Sequence, residues 1–253
     1  MIRQLFISLV FSTLILFAAG LPCVQAQSNG PEWEPELTED WTPVEYSVET
    51  GAPPSDAIVL FDGTDLDEWT SAADDGGNAA WRVEDGAMTV VPGSGNIKTR
   101  RGFGDVQLHI EWRTPEEIEG DGQGRGNSGV FLQEMYEVQV LDSWDNETYS
   151  NGQAGSVYKQ KAPAVNASKA PGEWQTYDII FESPRFDDNG ELIKPAYVTV
   201  HHNGVLIHHR FEIEGPTEYI GLPEYSPHPQ KLPIVLQDHS NPVSFRNIWI
   251  REL

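Results

Sequence analysis

The sequence has 253 residues and is strongly acidic, with 39 Asp and Glu against 16 Lys and Arg and a formal net charge of -23 at pH 7. A surface of this charge repels phosphate backbones and anionic lipids. Nucleic acids and membrane surfaces are therefore poor candidates for partners, and neutral ligands are favoured. Solubility is the simplest explanation of the acidity itself.

The first 26 residues have the pattern of a secretory signal peptide. The apolar run Leu5–Ala19 is too short to cross a bilayer comfortably, and Val24-Gln25-Ala26 forms an A-x-A-like cleavage site. A lipoprotein signal ending at Cys23 is the weaker alternative, because Pro22 stands where a small residue is expected. Cleavage after residue 26 removes the single cysteine, so we expect a secreted protein, periplasmic or extracellular, that folds without disulfides.

Residues 27–56 are rich in Pro, Glu, Ser and Thr and predict an extended N-terminal arm or a linker. From residue 57 to residue 253 the pattern changes to short alternating runs, separated by Gly, Asn, Asp and Pro clusters. Roughly 220 residues remain after the signal, which suits one large β domain, since sandwiches and barrels commonly have 200–250 residues.

Strands are predicted wherever apolar and polar residues alternate. In chain order they are Ile58–Phe61, Trp81–Glu84, Ala87–Val91, Val106–Arg113, Gly129–Leu132, Tyr136–Leu141, Ser156–Tyr158, Thr176–Glu182, Ala196–His202, Val205–Phe211, Pro233–Gln237 and Phe245–Arg251. The dipeptides Asp85-Gly86 and Asn203-Gly204 predict tight hairpins of type I′. Many short strands with almost no helical periodicity predict an all-β fold of two packed antiparallel sheets.

Motifs spread over residues 57–253 resemble one known family. They are Leu60-Phe61-Asp62-Gly63-Thr64-Asp65-Leu66-Asp67-Glu68-Trp69, Trp81-Arg82-Val83-Glu84-Asp85-Gly86, Phe103-Gly104-Asp105, Glu111-Trp112-Arg113, Gly126-Asn127-Ser128-Gly129-Val130-Phe131, Tyr136-Glu137-Val138-Gln139-Val140-Leu141-Asp142, Gly155-Ser156-Val157-Tyr158, Leu236-Gln237-Asp238-His239 and Phe245-Arg246-Asn247-Ile248-Trp249-Ile250. Taken together they are similar to the 3-keto-disaccharide hydrolase domain family. The resemblance implies a concanavalin A-like jelly-roll sandwich that acts on 3-oxidised glycosides. An insertion-like loop, Glu116–Arg125, departs from the family pattern and could alter one wall of the cleft.

The run Tyr136–Leu141 is the first candidate for a site. Its polar members Glu137 and Gln139 project to one side of the predicted strand, and Asp142 follows the strand and could fold back into the cleft. A carboxyl group there could act as a general acid or base. The alternative is a solvated outer face of hydrogen-bonded polar residues.

Two further strands carry polar candidates. Glu111 and Arg113 share one face, and if their strand neighbours that of Glu137, Arg113 could grip a sugar hydroxyl; a cross-strand ion pair is the equal alternative. Gln237 and His239 share a face of the next-to-last strand. A single histidine is more often structural, and it is the family resemblance that favours a proton-transfer role for His239.

Aromatic side chains after the Tyr136–Leu141 strand could stack on sugar rings, and Trp144, Tyr149 and Tyr158 are the candidates. Lys159 could donate a hydrogen bond to a sugar, although a surface lysine is the simpler interpretation. The tryptophans within or beside strand patterns, Trp81, Trp112, Trp174 and Trp249, are predicted to be core residues.

The histidines around the Asn203-Gly204 turn, His201, His202, His208 and His209, could begin a metal site. No third ligand is evident, so an exposed polar hairpin face is favoured. No Walker loop, Rossmann fingerprint, HExxH, CxxC or GxSxG motif is present. The paired carboxylates of laminarinase-type glycosidases are also missing, because Gln139 stands where the second would be wanted.

Together with the signal-peptide pattern, the family resemblance implies a secreted enzyme that cleaves neutral 3-keto-glycosides by β-elimination, with or without rehydration. Glu137 and His239 would be the proton-transfer pair, with the base left unassigned between them, and Gln139, Gln237 and Arg113 would orient the sugar or stabilise the enolate. A divalent cation on the enolate oxygen would suit converging carboxylates and a histidine, and the sequence does not decide whether one is used. A non-catalytic, lectin-like module on the same fold is the alternative; an ordinary retaining glycosidase is the least favoured.

Overall fold

The protein is represented by a computed structural model that describes residues 52–73 and 76–253. The expected signal peptide and most of the expected arm lie outside the described residues. The strands are β1 (Ile58–Phe61), β2 (Trp69–Ser71), β3 (Arg82–Glu84), β4 (Ala87–Thr89), β5 (Ile97–Thr99), β6 (Val106–Arg113), β7 (Ser128–Leu132), β8 (Tyr136–Val140), β9 (Gln175–Glu182), β10 (Arg185–Phe186), β11 (Leu192–Lys194), β12 (Tyr197–His202), β13 (Val205–Glu212), β14 (Val235–Leu236) and β15 (Ser244–Glu252). Two short 3₁₀ turns, Gly122–Gly124 and Ser150–Gly152, complete the regular structure of this part of the chain. Among these residues no helix has the length and apolarity needed to span a membrane.

The strands form two main antiparallel sheets. The larger has eight strands in the order β13-β12-β9-β6-β15-β4-β3, with β1 also paired to β15. The smaller has five strands in the order β2-β5-β14-β7-β8, and β10 and β11 form a separate ribbon. The fold is therefore all-β with antiparallel sheets, and the predicted jelly-roll sandwich is confirmed.

Side chains that alternate along the strands fill the space between the two sheets. On β6, Leu108, Ile110 and Trp112 are fully buried, whereas the residues between them face outward. From the smaller sheet, Tyr136 of β8 reaches Phe181 of β9, with 5.6 Å between the ring centres. This apolar layer stabilises the sandwich and fixes which face of each strand points away from the core.

Two of the four tryptophans predicted as core residues are not in the core. Trp81 and Trp112 are buried as expected. Trp174 and Trp249 are partly exposed on the outer side of the larger sheet, where Trp249 stacks on His109. Alternation within a strand was not a sufficient guide there, because β15 shifts its register between Arg246 and Trp249.

Turn chemistry predicts the hairpins correctly. Asp85 and Gly86 join β3 to β4, Asn203 and Gly204 join β12 to β13, and all four residues have positive φ, as a type I′ turn requires. The sequence missed the short strands β2, β5, β10 and β11. The predicted strand Ser156–Tyr158 is instead irregular, with a single bridge from Val157 to β8.

The histidine hairpin is only partly an exposed face, so that expectation is wrong for two of its members. His202 is buried and bonded to Gln175 at 2.8 Å, and burial lowers the pKa of His202 to about 4. His208 is buried and bonded to the carbonyl of Gly155 at 2.8 Å. A register shift pairs His208 with Val200, which turns its ring inward. Both rings therefore stabilise the fold.

Candidate functional site

A cleft of about 490 Å³ lies on the outward face of the smaller sheet, within the size range of small-molecule pockets, roughly 300–1,000 Å³. Its floor comes from β7 and β8, where Phe131 stands opposite Glu137 and Gly129 opposite Gln139. The residues that line it are Gln123, Asn127, Phe131, Glu137, Gln139, Tyr149, Tyr158, Lys159, Thr217, Tyr219, Gln237 and His239. Most are neutral polar or aromatic side chains, which suits a neutral sugar.

Glu137 is the carboxyl group of this cleft. The residue is only 4% exposed. Burial raises the pKa of Glu137 to about 8, because a carboxylate loses its hydration in the protein interior. At neutral pH this side chain is therefore mainly a neutral carboxylic acid that can donate a proton.

The amide of Gln139 has two orientations that fit its neighbours. In the first, Nε2 donates to Oε1 of Gln123 at 3.0 Å. In the second, Nε2 donates to Oε1 of Glu137 at 3.0 Å and to the carbonyl of Ser128 at 2.8 Å. In the first orientation the amide oxygen of Gln139 faces two other oxygens, Oε1 of Glu137 and the carbonyl of Ser128. In the second it faces one, Oε1 of Gln123. We assign the second orientation because it has fewer unfavourable contacts between oxygens. This bond fixes the Glu137 carboxyl group and opposes the effect of burial on its pKa.

Gly129 makes room for the carboxyl group. A Cβ atom at this position would lie 2.4 Å from Oε1 of Glu137 and 2.8 Å from the ring of Phe131, both far inside van der Waals contact. Gly129 does not have a positive φ, so its backbone conformation does not require glycine. The space that the Glu137 carboxyl group needs in the cleft floor explains the glycine at this position.

Segment 149–159 forms one wall. The hydroxyls of Tyr149 and Tyr158 are 2.5 Å apart. Lys159 Nζ lies 5.8 Å from the centre of each of these rings and donates to the carbonyl of Tyr219 at 2.5 Å. The segment runs along the edge of β8, where the amide of Tyr158 donates to the carbonyl of Glu137 at 3.2 Å. This contact covers the strand edge and positions the tyrosines beside the floor.

The loop after β13 forms the facing wall. Thr217 is tied to the floor from both sides: its amide donates to the carbonyl of Met135 at 2.8 Å, and its Oγ1 accepts from the amide of Glu137 at 3.0 Å. Tyr219, further along, is 69% exposed at the mouth of the cleft. The wall is therefore held at its base, and its tip is in solvent.

The remaining side is built from the end of β14 and from the insertion-like loop. Gln237 and His239 follow β14, and the amide of Gln237 donates to the carbonyl of Gly129 at 3.1 Å. Gln123 reaches the cleft from the loop and donates to the carbonyl of Gly152 at 2.9 Å. The loop Glu116–Arg125 does contribute to a wall of the cleft, as the sequence suggested.

Residues 56–251 match the model of one family, the 3-keto-alpha-glucoside-1,2-lyase-like domain. The chain belongs to this family. A solved structure of a protein from Parabacteroides distasonis ATCC 8503, called a "putative glycosyl hydrolase", is 49% identical, with a TM-score of 0.81 over 87% of this chain and 97% of that one. A second protein of the same organism and description is 21% identical, with a TM-score of 0.57 over 78% of this chain and 94% of that one, which shows the fold alone. A comparison with curated proteins gave no match.

In this member of the family, seven sequence-predicted residues meet in the cleft. They are Glu137, Gln139, Tyr149, Tyr158, Lys159, Gln237 and His239. The expected meeting of a glutamate, a glutamine and a distant histidine in one hollow is therefore seen in the structure, and the chemical roles of these residues stay predictions. Glu137 and Gln139 do not lie on an open outer face, because the two walls cover them.

Glu111 and Arg113 are not brought to the cleft. Their strand β6 pairs with β9 and β15 in the larger sheet, so the adjacency to β8 on which their proposed role in sugar binding depended is not met. Glu111 accepts hydrogen bonds from Arg246 at 2.6 Å and Asn247 at 2.9 Å, which outweigh burial and lower the pKa of Glu111. Arg113 lies over the ring of Trp174 at 4.7 Å. Glu111 and Arg246 face each other on neighbouring strands, so the alternative of a cross-strand ion pair is correct for Glu111.

Asp142 and Trp144 also lie outside the cleft. Asp142 is buried and turned toward Arg125, with 2.7 Å between Nε and Oδ2, and it lines a separate cavity of about 160 Å³. Trp144 is 49% exposed, and its carbonyl accepts from Arg125 at 2.9 Å. The buried arginine holds this turn closed, so Asp142 does not fold back as expected.

The sequence missed several cleft residues, namely Gln123, Asn127, Phe131, Thr217 and Tyr219. Phe131 could have been found, because it alternates with Val130 and Leu132 and must face the same side as Glu137. Thr217 and Tyr219 lie in an irregular loop that carries no periodic signal.

The residues of the cleft do not form a site for the divalent cation that the sequence left open. Within the part of the chain that the structure describes, no group of three or more His, Cys, Asp or Glu side chains could hold a metal ion. Glu137 and His239 are the two such side chains lining the cleft. No step of the proposed chemistry is therefore assigned to a metal.

Proposed function

We propose that this protein cleaves 3-keto-glycosides by β-elimination, with or without rehydration of the product. The family description names a lyase-like domain for 3-keto-alpha-glucosides. The 49% identical relative is called a "putative glycosyl hydrolase". Both support a carbohydrate-active enzyme. The observation that favours elimination is the composition of the cleft, in which Glu137 is the one carboxyl group among the lining residues.

Ordinary glycosidases use two carboxyl groups that flank the anomeric carbon. A single one, buried and protonated, cannot fill both roles. A ketone at C3 removes this requirement, because it acidifies the proton on C2. Loss of that proton gives an enolate, and collapse of the enolate expels the substituent at C1. Formation of the enolate then needs a base at C2 and a donor at the ketone oxygen.

The cleft contains candidates for both roles. His239 is exposed at one side, and its neutral imidazole is the proton acceptor for C2. Glu137 is the donor to the C3 oxygen, since burial keeps its proton in place at neutral pH. Gln139 fixes the Glu137 carboxyl group, and Gln237 and Asn127 are placed to bond sugar hydroxyls.

Water adding to the unsaturated product would give hydrolysis, and release without addition would give a lyase. The substrate class is a neutral glycoside, in keeping with the acidic sequence. From the predicted signal peptide we propose that the enzyme acts in the periplasm or outside the cell.

The test compares 4-nitrophenyl 3-keto-glucosides of both anomers with the unoxidised glucosides, measuring 4-nitrophenol release above the uncatalysed rate. We expect release from a keto-glucoside only, reduced by about 100-fold or more in His239→Ala and in Glu137→Gln. His209→Ala, an exposed histidine on the larger sheet, is the matched control. Release from unoxidised glucosides would support a retaining glycosidase, and binding without release in every variant would support the lectin-like alternative.

A further inference from the structure

A third proton-handling group is required by the proposed elimination. The glycosidic oxygen leaves with the electron pair of the C1–O bond, and for a sugar or alkyl alcohol it must be protonated as it leaves. His239 and Glu137 serve C2 and the ketone oxygen. The same cleft contains a pair of hydroxyls with no role so far, those of Tyr149 and Tyr158.

The pair is held firmly. Its hydroxyl oxygens are 2.5 Å apart, and the two rings meet at 60° with 6.2 Å between their centres. The Tyr149 ring lies directly on Gly152, where an added Cβ would come within 2.1 Å of a ring carbon. Tyr158 is fixed through its amide to the carbonyl of Glu137. Such preorganisation is what a proton donor needs, because little reorganisation remains at the moment of reaction.

The different exposures of the two tyrosines favour one direction for the hydrogen bond between their hydroxyls. Tyr158 is 9% exposed, and burial first, then the hydrogen bond to Tyr149, raises the pKa of Tyr158. Because Tyr149 is the one hydrogen-bond partner of the Tyr158 hydroxyl among the described residues, we assign the buried Tyr158 as the donor and the oxygen of Tyr149 as the acceptor. The proton of Tyr149, whose side chain is 40% exposed, is left available to a ligand in the cleft.

Two other proton donors line the cleft, and the geometry favours neither. Lys159 Nζ already donates to the carbonyl of Tyr219 at 2.5 Å. Tyr219 is 69% exposed, and no side chain of the described residues bonds its hydroxyl. Tyr149 alone among the three combines a fixed ring with a second hydroxyl that stabilises the negative charge developing on its oxygen.

We propose that Tyr149 is the acid that protonates the departing glycosidic oxygen, with Tyr158 as its positioning residue. This inference rests on the proposed function. The base takes the C2 proton, the C2–H electrons form the C1=C2 double bond as the C3 carbonyl is restored, and the C1–O electrons pass to the leaving oxygen. That oxygen takes the hydroxyl proton of Tyr149, and the phenolate is reprotonated by water while the base returns its proton to solvent.

The experiment measures kcat/KM for a series of 3-keto-glucosides whose leaving groups run from 4-nitrophenol through phenol to methanol. We expect Tyr149→Phe to be slower by about 100-fold or more on the methyl compound and within about threefold of the unaltered protein on the 4-nitrophenyl compound, which needs no acid. Tyr158→Phe should show the same trend at smaller amplitude. Tyr197→Phe removes a hydroxyl that bonds Glu212 on the larger sheet and serves as the control.

The dependence on leaving group separates chemistry from structural damage, because a misfolded variant loses all substrates alike. Equal loss across the series in Tyr149→Phe, or no loss, would overturn the assignment. So would a leaving-group dependence that appears in Lys159→Gln and not in Tyr149→Phe. If the unaltered protein cleaves none of the series, the proposed function itself fails. If Tyr149→Phe cleaves the series and its kcat/KM depends on the leaving group as in the unaltered protein, only the role of Tyr149 is rejected.

Discussion

Replacing Glu137 by glutamine should stabilise the protein at neutral pH, although it removes a cleft residue. Glu137 is buried with a pKa of about 8 against an ordinary value of 4.5. Because the folded-state pKa is raised, the unfolded chain ionises first, and stability is lost as the pH rises from 4.5 to 8. At 1.36 kcal/mol per pKa unit, the loss is about 3 kcal/mol at pH 7 and about 5 kcal/mol above pH 8. The hydrogen bond from Gln139 favours the carboxylate, so these values are upper limits.

The assay is urea unfolding of the unaltered protein and Glu137→Gln at pH 4.5, 6, 7 and 8. We expect the free-energy difference between the two proteins to change in favour of the variant by about 1.4 kcal/mol per pH unit at most. Glu147→Gln removes an exposed glutamate and controls for the change in net charge. If the difference in unfolding free energy stays constant with pH, or changes in favour of the unaltered protein as the pH rises, Glu137 is not a buried neutral acid in the folded protein.

Three further predictions concern single side chains. Gly129→Ala should keep the fold but displace the Glu137 carboxyl group, which the new Cβ would approach to 2.4 Å, so 3-keto-glucoside cleavage should fall by about tenfold or more while circular dichroism is unchanged. His202, with its pKa lowered to about 4, keeps full stability above pH 6.5 and should lose up to about 3 kcal/mol as the pH falls to 4, a loss that thermal unfolding should not find in His202→Gln. Arg125→Met leaves Asp142 buried without its partner and should destabilise by about 3–5 kcal/mol in urea unfolding; a cost below 1 kcal/mol would show that the pair is dispensable.

Strand β8 shows what alternation can predict. Tyr136 and Val138 lie in the core, and Glu137 and Gln139 point the other way, as a period of two requires. Alternation does not say whether that other face is open or covered. Here it is covered by segments 149–159 and 214–219, whose positions depend on hydrogen bonds between residues distant in sequence, such as the amide of Glu137 to Thr217. This long-range information is absent from a local pattern.

Glu111 shows the complementary limit. Its outward orientation on β6 was predicted correctly, but its sheet was not, because strand pairing in an antiparallel sandwich does not follow chain order. Asp142 turned away from the cleft for a similar reason, since its partner Arg125 lies 17 residues earlier in the chain. His239 was placed in the cleft by family resemblance, where the residues alone favoured a structural role.

The proposed chemistry depends on one step, the removal of the C2 proton of a 3-keto-sugar in the cleft. The most direct test uses 3-keto-1,5-anhydroglucitol, which has no group to expel, and follows C2 hydrogen exchange by NMR in D₂O. We expect exchange well above the buffer rate with the unaltered protein and at the buffer rate with His239→Ala. Binding of the ligand without any acceleration of exchange, or acceleration that survives the loss of His239, would contradict it.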